Sequence, residues 1–128
     1  MTEIFIVGMG GFIGTCFRYI VTKFMNHFTI SLPFGTLISN IIAGLLIGFI
    51  IGLEQSSFLA TPKTKLFLTT GLCGGLSTFS TFSLETVILF QNEKYVVAIL
   101  NILLNIGISM LGVIAGMAFA KLLFKQLS

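Results

Sequence analysis

Long apolar runs dominate the chain, at residues 4–24, 34–53, 66–90 and 95–124. Each is continuous and lacks alternation of period two, so each predicts a helix and not a barrel strand. A span needs about 20 apolar residues at a rise of about 1.5 Å, and every run supplies that length. Polar punctuation separates them at residues 23–33, 54–65 and 91–94. The last, Gln91-Asn92-Glu93-Lys94, is too short to join anything but antiparallel neighbours. Pro33 and Pro62 each stand just ahead of a run, where a missing N–H costs a helix least. Met1-Thr2-Glu3 leads straight into the first run without a basic segment or a small-residue cleavage site, so that run is expected to be a retained span. The expected architecture is an all-α membrane protein: one domain over residues 1–128 with four transmembrane helices.

Composition supports lipid as the solvent. Hydrophobic residues are 55% and charged residues 9% of the chain, against about 25% charged in a soluble domain. That balance excludes a cytosolic enzyme, a disordered regulator and a disulfide-stapled secreted module. The net charge of +3 is spread without a basic cluster, so no nucleic-acid partner is expected. Cys16 and Cys73 are isolated within apolar runs and build no metal site. His27 falls in a connection and has no assigned role. GxSxG, HExxH, P-loop and CxxC patterns are missing, as is any Asp, so no catalytic residues and no enzyme are expected.

Charge also bears on orientation. Lys63, Lys65, Lys121 and Lys125 would lie on one side, Lys23, Lys94 and Arg18 on or near the other. So even a split gives the positive-inside rule little to act on, and insertion in both orientations is expected. Small residues recur at four-residue intervals: Gly10 and Gly14 in the first run, Gly44, Gly48 and Gly52 in the second, Gly112 and Gly116 in the fourth. Such stripes let helix backbones approach closely, within the bundle and toward a partner.

The third run is abnormal. Gly71, Gly74 and Gly75 precede Ser77-Thr78-Phe79-Ser80-Thr81-Phe82-Ser83, with Glu85 and Thr86 beyond. The run's midpoint falls near Thr78, so its polar cluster is expected at mid-membrane. Two readings follow. The hydroxyls bond back to carbonyls of their own helix, or the helix is broken there and its ends face an ion or protein. Two oppositely inserted copies would bring two such breaks together at the midplane and cage a cation between their carbonyls.

Several further residues are candidates. Phe79 and Phe82, three apart, either pack or turn their positive ring edges to an anion. Ser80 and Thr81 hydroxyls beside them are potential anion donors. Asn40 lies on one face with Thr36, Gly44 and Gly48, either as interhelical glue or as an amide donor to a passing anion. Asn101, Asn105 and Ser109 recur at intervals of four, a polar stripe expected to face protein or water. Arg18 and Glu85 are embedded charges, functional or structurally paired.

Three segments resemble the Fluc/CrcB fluoride-channel family: Gly10-Gly11-Phe12-Ile13-Gly14 with Arg18-Tyr19, Gly35-Thr36-Leu37-Ile38-Ser39-Asn40, and Gly71 through Glu85 with Gly74-Gly75-Leu76-Ser77-Thr78-Phe79-Ser80-Thr81-Phe82 at its centre. They occur in order, and the resemblance covers essentially the whole chain. It implies an antiparallel, dual-topology homodimer in the cell (cytoplasmic) membrane. Such a dimer exports fluoride passively down its electrochemical gradient, through two pores lined by both subunits, and so protects the cell from fluoride. By position, Asn40 would be the pore asparagine, and Phe79 and Phe82 the aromatic pair contacting fluoride. Ser80, Thr81, Thr36 and Ser109 would belong to the polar route, with Arg18 and Glu85 near the pore mouths. Gly74 and Ser77 would give backbone carbonyls to a structural Na⁺ at the dimer interface. Ser77 departs from the Thr common there, a change a main-chain ligand tolerates. A small dual-topology multidrug exporter would share the span count, but would call for a central carboxylate and Trp or Tyr walls. Here Trp is zero and Glu85 is off-centre. A non-transporting assembly subunit would account for the glycine stripes but not for the hydroxyl-rich third run.

Overall fold

The computed structural model describes residues 1–27, 32–54 and 61–127; the central parts of the first two connections lie outside them. Among the described residues the chain is all helix, without strands. Helix α1 is Thr2–Met25, α2 is Phe34–Gly52, and α3 is Pro62–Leu66. A π-helical segment, Phe67–Cys73, runs from α3 into the short α4, Gly74–Leu76. After it come α5, Phe79–Gln91, and α6, Tyr95–Leu127. Four stretches are long and apolar enough to cross a membrane: Thr2–Met25, Phe34–Gly52, Pro62–Gln91 and Tyr95–Gln126. The protein is a multi-pass membrane protein.

Local chemistry sets several boundaries. Glu3 in the first turn of α1 and Lys23 in its last complement the helix dipole. Thr61 caps α3 by accepting the Thr64 N–H at 3.2 Å, with Pro62 in the first helical turn. Helical residues therefore start ahead of the third apolar run, on a polar turn whose Lys65 pairs with Glu54 at the end of the second. The α5–α6 turn closes as a Schellman motif. Lys94 N–H donates to the Leu89 carbonyl at 2.9 Å and Glu93 N–H to the Phe90 carbonyl at 3.1 Å. Glu93 takes the left-handed conformation this needs, φ 59°, and the turn makes α5 and α6 antiparallel neighbours.

Glycine decides how the spans pack. Gly44, Gly48 and Gly52 lie against Ser109, Val113 and Met117 of α6, and Gly112 and Gly116 return the contact against Ile41 and Leu45 of α2. On the other side, Gly10 and Gly14 of α1 seat the backbone of Phe67 and Leu72. These stripes are thus used between spans of one chain. A Cβ on Gly48 would fall on the Val113 carbonyl oxygen, which is backbone and cannot swing aside. Gly48→Ala should therefore destabilise the fold by about 1–3 kcal/mol. Gly107→Ala, whose Cβ meets nothing within 4 Å inside α6, should not lower the melting temperature in detergent, since alanine is the better helix former; thermal unfolding of both variants checks this.

Candidate functional site

The chemistry of the fold concentrates where α4 gives way to α5. Helical residues stop at Leu76 and resume at Phe79; Ser77 (φ −79°, ψ 156°) and Thr78 (φ −151°, ψ 121°) are extended. In an unbroken helix Thr78 N–H would bond the Gly74 carbonyl. It donates instead to Asn40 Oδ1 of α2, at 2.8 Å. The Gly75 carbonyl, which Phe79 N–H would otherwise fill, receives Arg18 Nε from α1 at 3.1 Å. Thr78 Oγ1 caps α5 by accepting the Thr81 N–H at 3.2 Å. Three spans therefore supply partners for the Gly75 carbonyl, the Thr78 N–H and the Thr81 N–H. Beyond the interruption, hydroxyls bond back to their own helix: Ser83 Oγ donates to the Phe79 carbonyl at 2.8 Å and Thr86 Oγ1 to the Phe82 carbonyl at 2.7 Å.

A groove of about 390 Å³ opens beside this point. Its wall brings together Asn40 of α2, Gly74, Ser77, Phe79 and Phe82 of the third span, and Ser109 of α6. No charged side chain lines it among the described residues. Asn40 Nδ2 donates to Asn105 Oδ1 at 2.9 Å and, more weakly, to the Thr78 carbonyl at 3.4 Å. Ser109 Oγ is buried with no hydrogen-bond partner among the described residues. The rings of Phe79 and Phe82 sit 5.7 Å apart, tilted by 55°. Phe82 is buried, whereas Phe79 is 78% exposed and projects from the single chain. The wall thus combines neutral polar side chains with two phenyl rings, a set that carries no full charge to trap a small anion.

Other candidate residues lie off this wall. Ser80 and Thr81 sit on the capping turn, with Thr78 Oγ1 at 3.3 Å and 3.2 Å from their hydroxyls. Thr36 is buried and donates to Glu85 Oε1 at 2.7 Å, so these two form one unit between α2 and α5. Glu85 Oε2 is buried without a hydrogen-bond partner among the described residues. Arg18 is structurally paired, with the Gly75 carbonyl and not with a carboxylate. Thr69, Thr78 and Asn105 also line the groove; the sequence reading assigned none of them a role in the ion route. For Asn105 the available signal is its place in the Asn101–Asn105–Ser109 stripe; Thr69 carries none.

Comparison with known proteins gives this geometry a context. Residues 5–117 match the family model described as "CrcB-like protein, Camphor Resistance (CrcB)". A Clostridium perfringens protein named Fluoride-specific ion channel FluC is 48% identical over 120 residues, covering 93% of this chain and 94% of its own. Proteins of the same name from Clostridium novyi and Elusimicrobium minutum are 45% and 38% identical, over 93% and 96% of this chain and 94% and 97% of theirs. With a match that begins in α1, takes in the interrupted third span and ends within α6, the chain belongs to the CrcB-like family.

Proposed function

We propose that this protein is a fluoride channel of the cell membrane, which lets F⁻ leave passively down its electrochemical gradient and so protects against fluoride. The groove at Ser77–Thr78 carries the reading: it is lined by hydrogen-bonding side chains and two phenyl rings but no fixed charge. Fluoride is small, strongly hydrated and a strong acceptor, so a narrow route must replace its water with donors. Ser109 Oγ is an unpartnered hydroxyl on the wall. Asn40 Nδ2 holds the Thr78 carbonyl only at 3.4 Å, and that hydrogen is the one given to the ion. Phe79 and Phe82 present ring edges at the same place. Ser80, Thr81 and the Thr36–Glu85 pair act next to this route, on the turn and helix that carry the rings.

The working unit is an antiparallel homodimer. Gly74 and Ser77 are exposed on one chain, and the Gly74 carbonyl lacks its helical partner because Thr78 N–H is turned to Asn40. Such backbone cannot face hydrocarbon at the middle of a span, where an unsatisfied polar group costs several kcal/mol. A second copy in the opposite orientation covers it, and the even charge balance permits that insertion. The oxygen-only set formed by the Gly74 and Ser77 carbonyls of both copies fits a hard cation, and these are the groups that would hold Na⁺. When bound, Na⁺ supplies a positive charge that ties the interrupted spans together. Purified protein in liposomes, read with a fluoride electrode, tests the reading. Fluoride efflux that needs no proton gradient is the expected result; proton-coupled drug uptake, or no transport, overturns it.

A further inference from the structure

Arg18 brings a charge to the interruption. Its Nε donates to the Gly75 carbonyl at 3.1 Å, and the side chain is half-buried. Neither of its terminal nitrogens has a hydrogen-bond partner among the described residues, and among them no carboxylate pairs with the guanidinium. Glu54 is taken by Lys65, and Glu85 is bonded to Thr36. A guanidinium carries a full positive charge, so the chain holds an unpaired charge inside a span, where charges are costly and mark function. Clamping one carbonyl does not call for it, because a neutral amide donor would serve. Gly75 is bonded to Gly74 and stands two residues before Ser77; both of these line the groove, and Arg18 does not. A Cβ on Gly75 would fall on the Gly11 carbonyl of α1, whereas one on Gly74 would meet only the Thr69 carbonyl, at 3.9 Å. The guanidinium therefore approaches from the α1 side, behind the wall, and backbone dimensions put it within about 8 Å of the wall atoms.

We propose that Arg18 supplies a positive field that draws an anion into the groove, acting from behind the wall without touching the ion. The inference rests on the fluoride-channel reading. Distance decides what such a charge does. In contact, at about 4 Å and an effective dielectric constant of about 20, it would hold an anion roughly a thousand times more tightly, and conduction needs release. At about 10 Å in the same medium it changes the occupancy of the groove on the order of tenfold. That is enough to help a desolvated ion enter and too little to trap it. A neutral wall with a charge behind it gives the ion attraction without a fixed partner.

Arg18→Gln separates the field from the clamp. Counted along the side chain, the Gln Nε2 stands at the same bond as the Arg Nε, so the variant keeps a donor for the Gly75 carbonyl and loses the charge. Arg18→Lys keeps the charge one bond further out. Fluoride efflux from liposomes is read over a range of sodium fluoride concentrations, with thermal unfolding in detergent on the same preparations. Arg18→Gln should melt no lower than the native protein and raise the half-saturating fluoride concentration about tenfold, whereas Arg18→Lys should stay within about threefold of native. A native concentration dependence in folded Arg18→Gln, or equal losses in both variants, would overturn the inference and leave Arg18 as a clamp. If Arg18→Gln does not fold, Arg18→Lys decides: a folded protein within about threefold of native supports the field, and a loss of about tenfold or more overturns it. Failure of both variants to fold makes the side chain a structural clamp and overturns it too. Native protein that passes no fluoride would instead overturn the channel reading on which the inference stands.

Discussion

Replacing Phe79 by Ile should cut fluoride efflux on the order of 100-fold, an effect of about 3 kcal/mol on the barrier, while the chain still folds. The reason is electrostatic. A phenyl ring carries a negative face and a positive edge, and an ion stripped of water in a narrow route gains from such an edge. Ile fills similar space but has no quadrupole. Phe79 gives the cleaner test of the two rings, because at 78% exposure it contributes little packing within one chain. Phe82 is buried and in ring contact with Phe79, so Phe82→Ile should lower both flux and melting temperature. Measuring efflux and thermal unfolding on each variant separates the two contributions. Native efflux in both single variants would reduce the rings to packing.

Asn40→Asp should abolish fluoride passage. The change preserves one function of the side chain and reverses another. A carboxylate still accepts the Thr78 N–H, which Asn40 Oδ1 receives at 2.8 Å, so the start of α5 keeps its support. The NH₂ group, however, is lost. Asn105 Oδ1, which accepts it at 2.9 Å, would then face another oxygen. An incoming anion would meet a negative charge; at about 4 Å and an effective dielectric constant of about 20, two unit charges repel by about 4 kcal/mol. That is close to three decades in rate. Stability should fall as well, because the Asn105 acceptor is left unpaired in a buried site, at a cost of about 1–3 kcal/mol. A fluoride electrode reads the first effect and thermal unfolding in detergent the second. Unchanged efflux in a folded Asn40→Asp protein would leave Asn40 as interhelical glue.

Both effects depend on the same design. The extended pair Ser77–Thr78 releases backbone groups, and side chains from α1 and α2 satisfy two of them: Arg18 at the Gly75 carbonyl, Asn40 at the Thr78 N–H. Polar groups that would be prohibitive one by one in hydrocarbon become tolerable as a network. The same network leaves a neutral, donor-bearing wall facing the groove.

What the sequence alone determined is local. Unbroken apolar runs of spanning length can only be helices in lipid, because helix bonds are made within the segment. The clustering of Gly74, Gly75, Ser77 and Thr78 marked the third span as exceptional, since small and hydroxylated residues hold a helix loosely. The stripes at Gly44–Gly48 and Gly112–Gly116 marked close contacts, but not which stripe meets which. Only the tertiary structure decided that α2 and α6 share theirs. It also decided which polar groups converge. Asn40 meets Asn105 across 65 positions and Thr78 across 38, and Arg18 reaches Gly75 across 57. Hydrophobicity could not reveal these pairings: spans apolar on nearly every face have no strong moment to tell the inward side from the lipid side. The choice was made by hydrogen-bond satisfaction and by backbone approach at the glycines, and both exist only once the helices are packed.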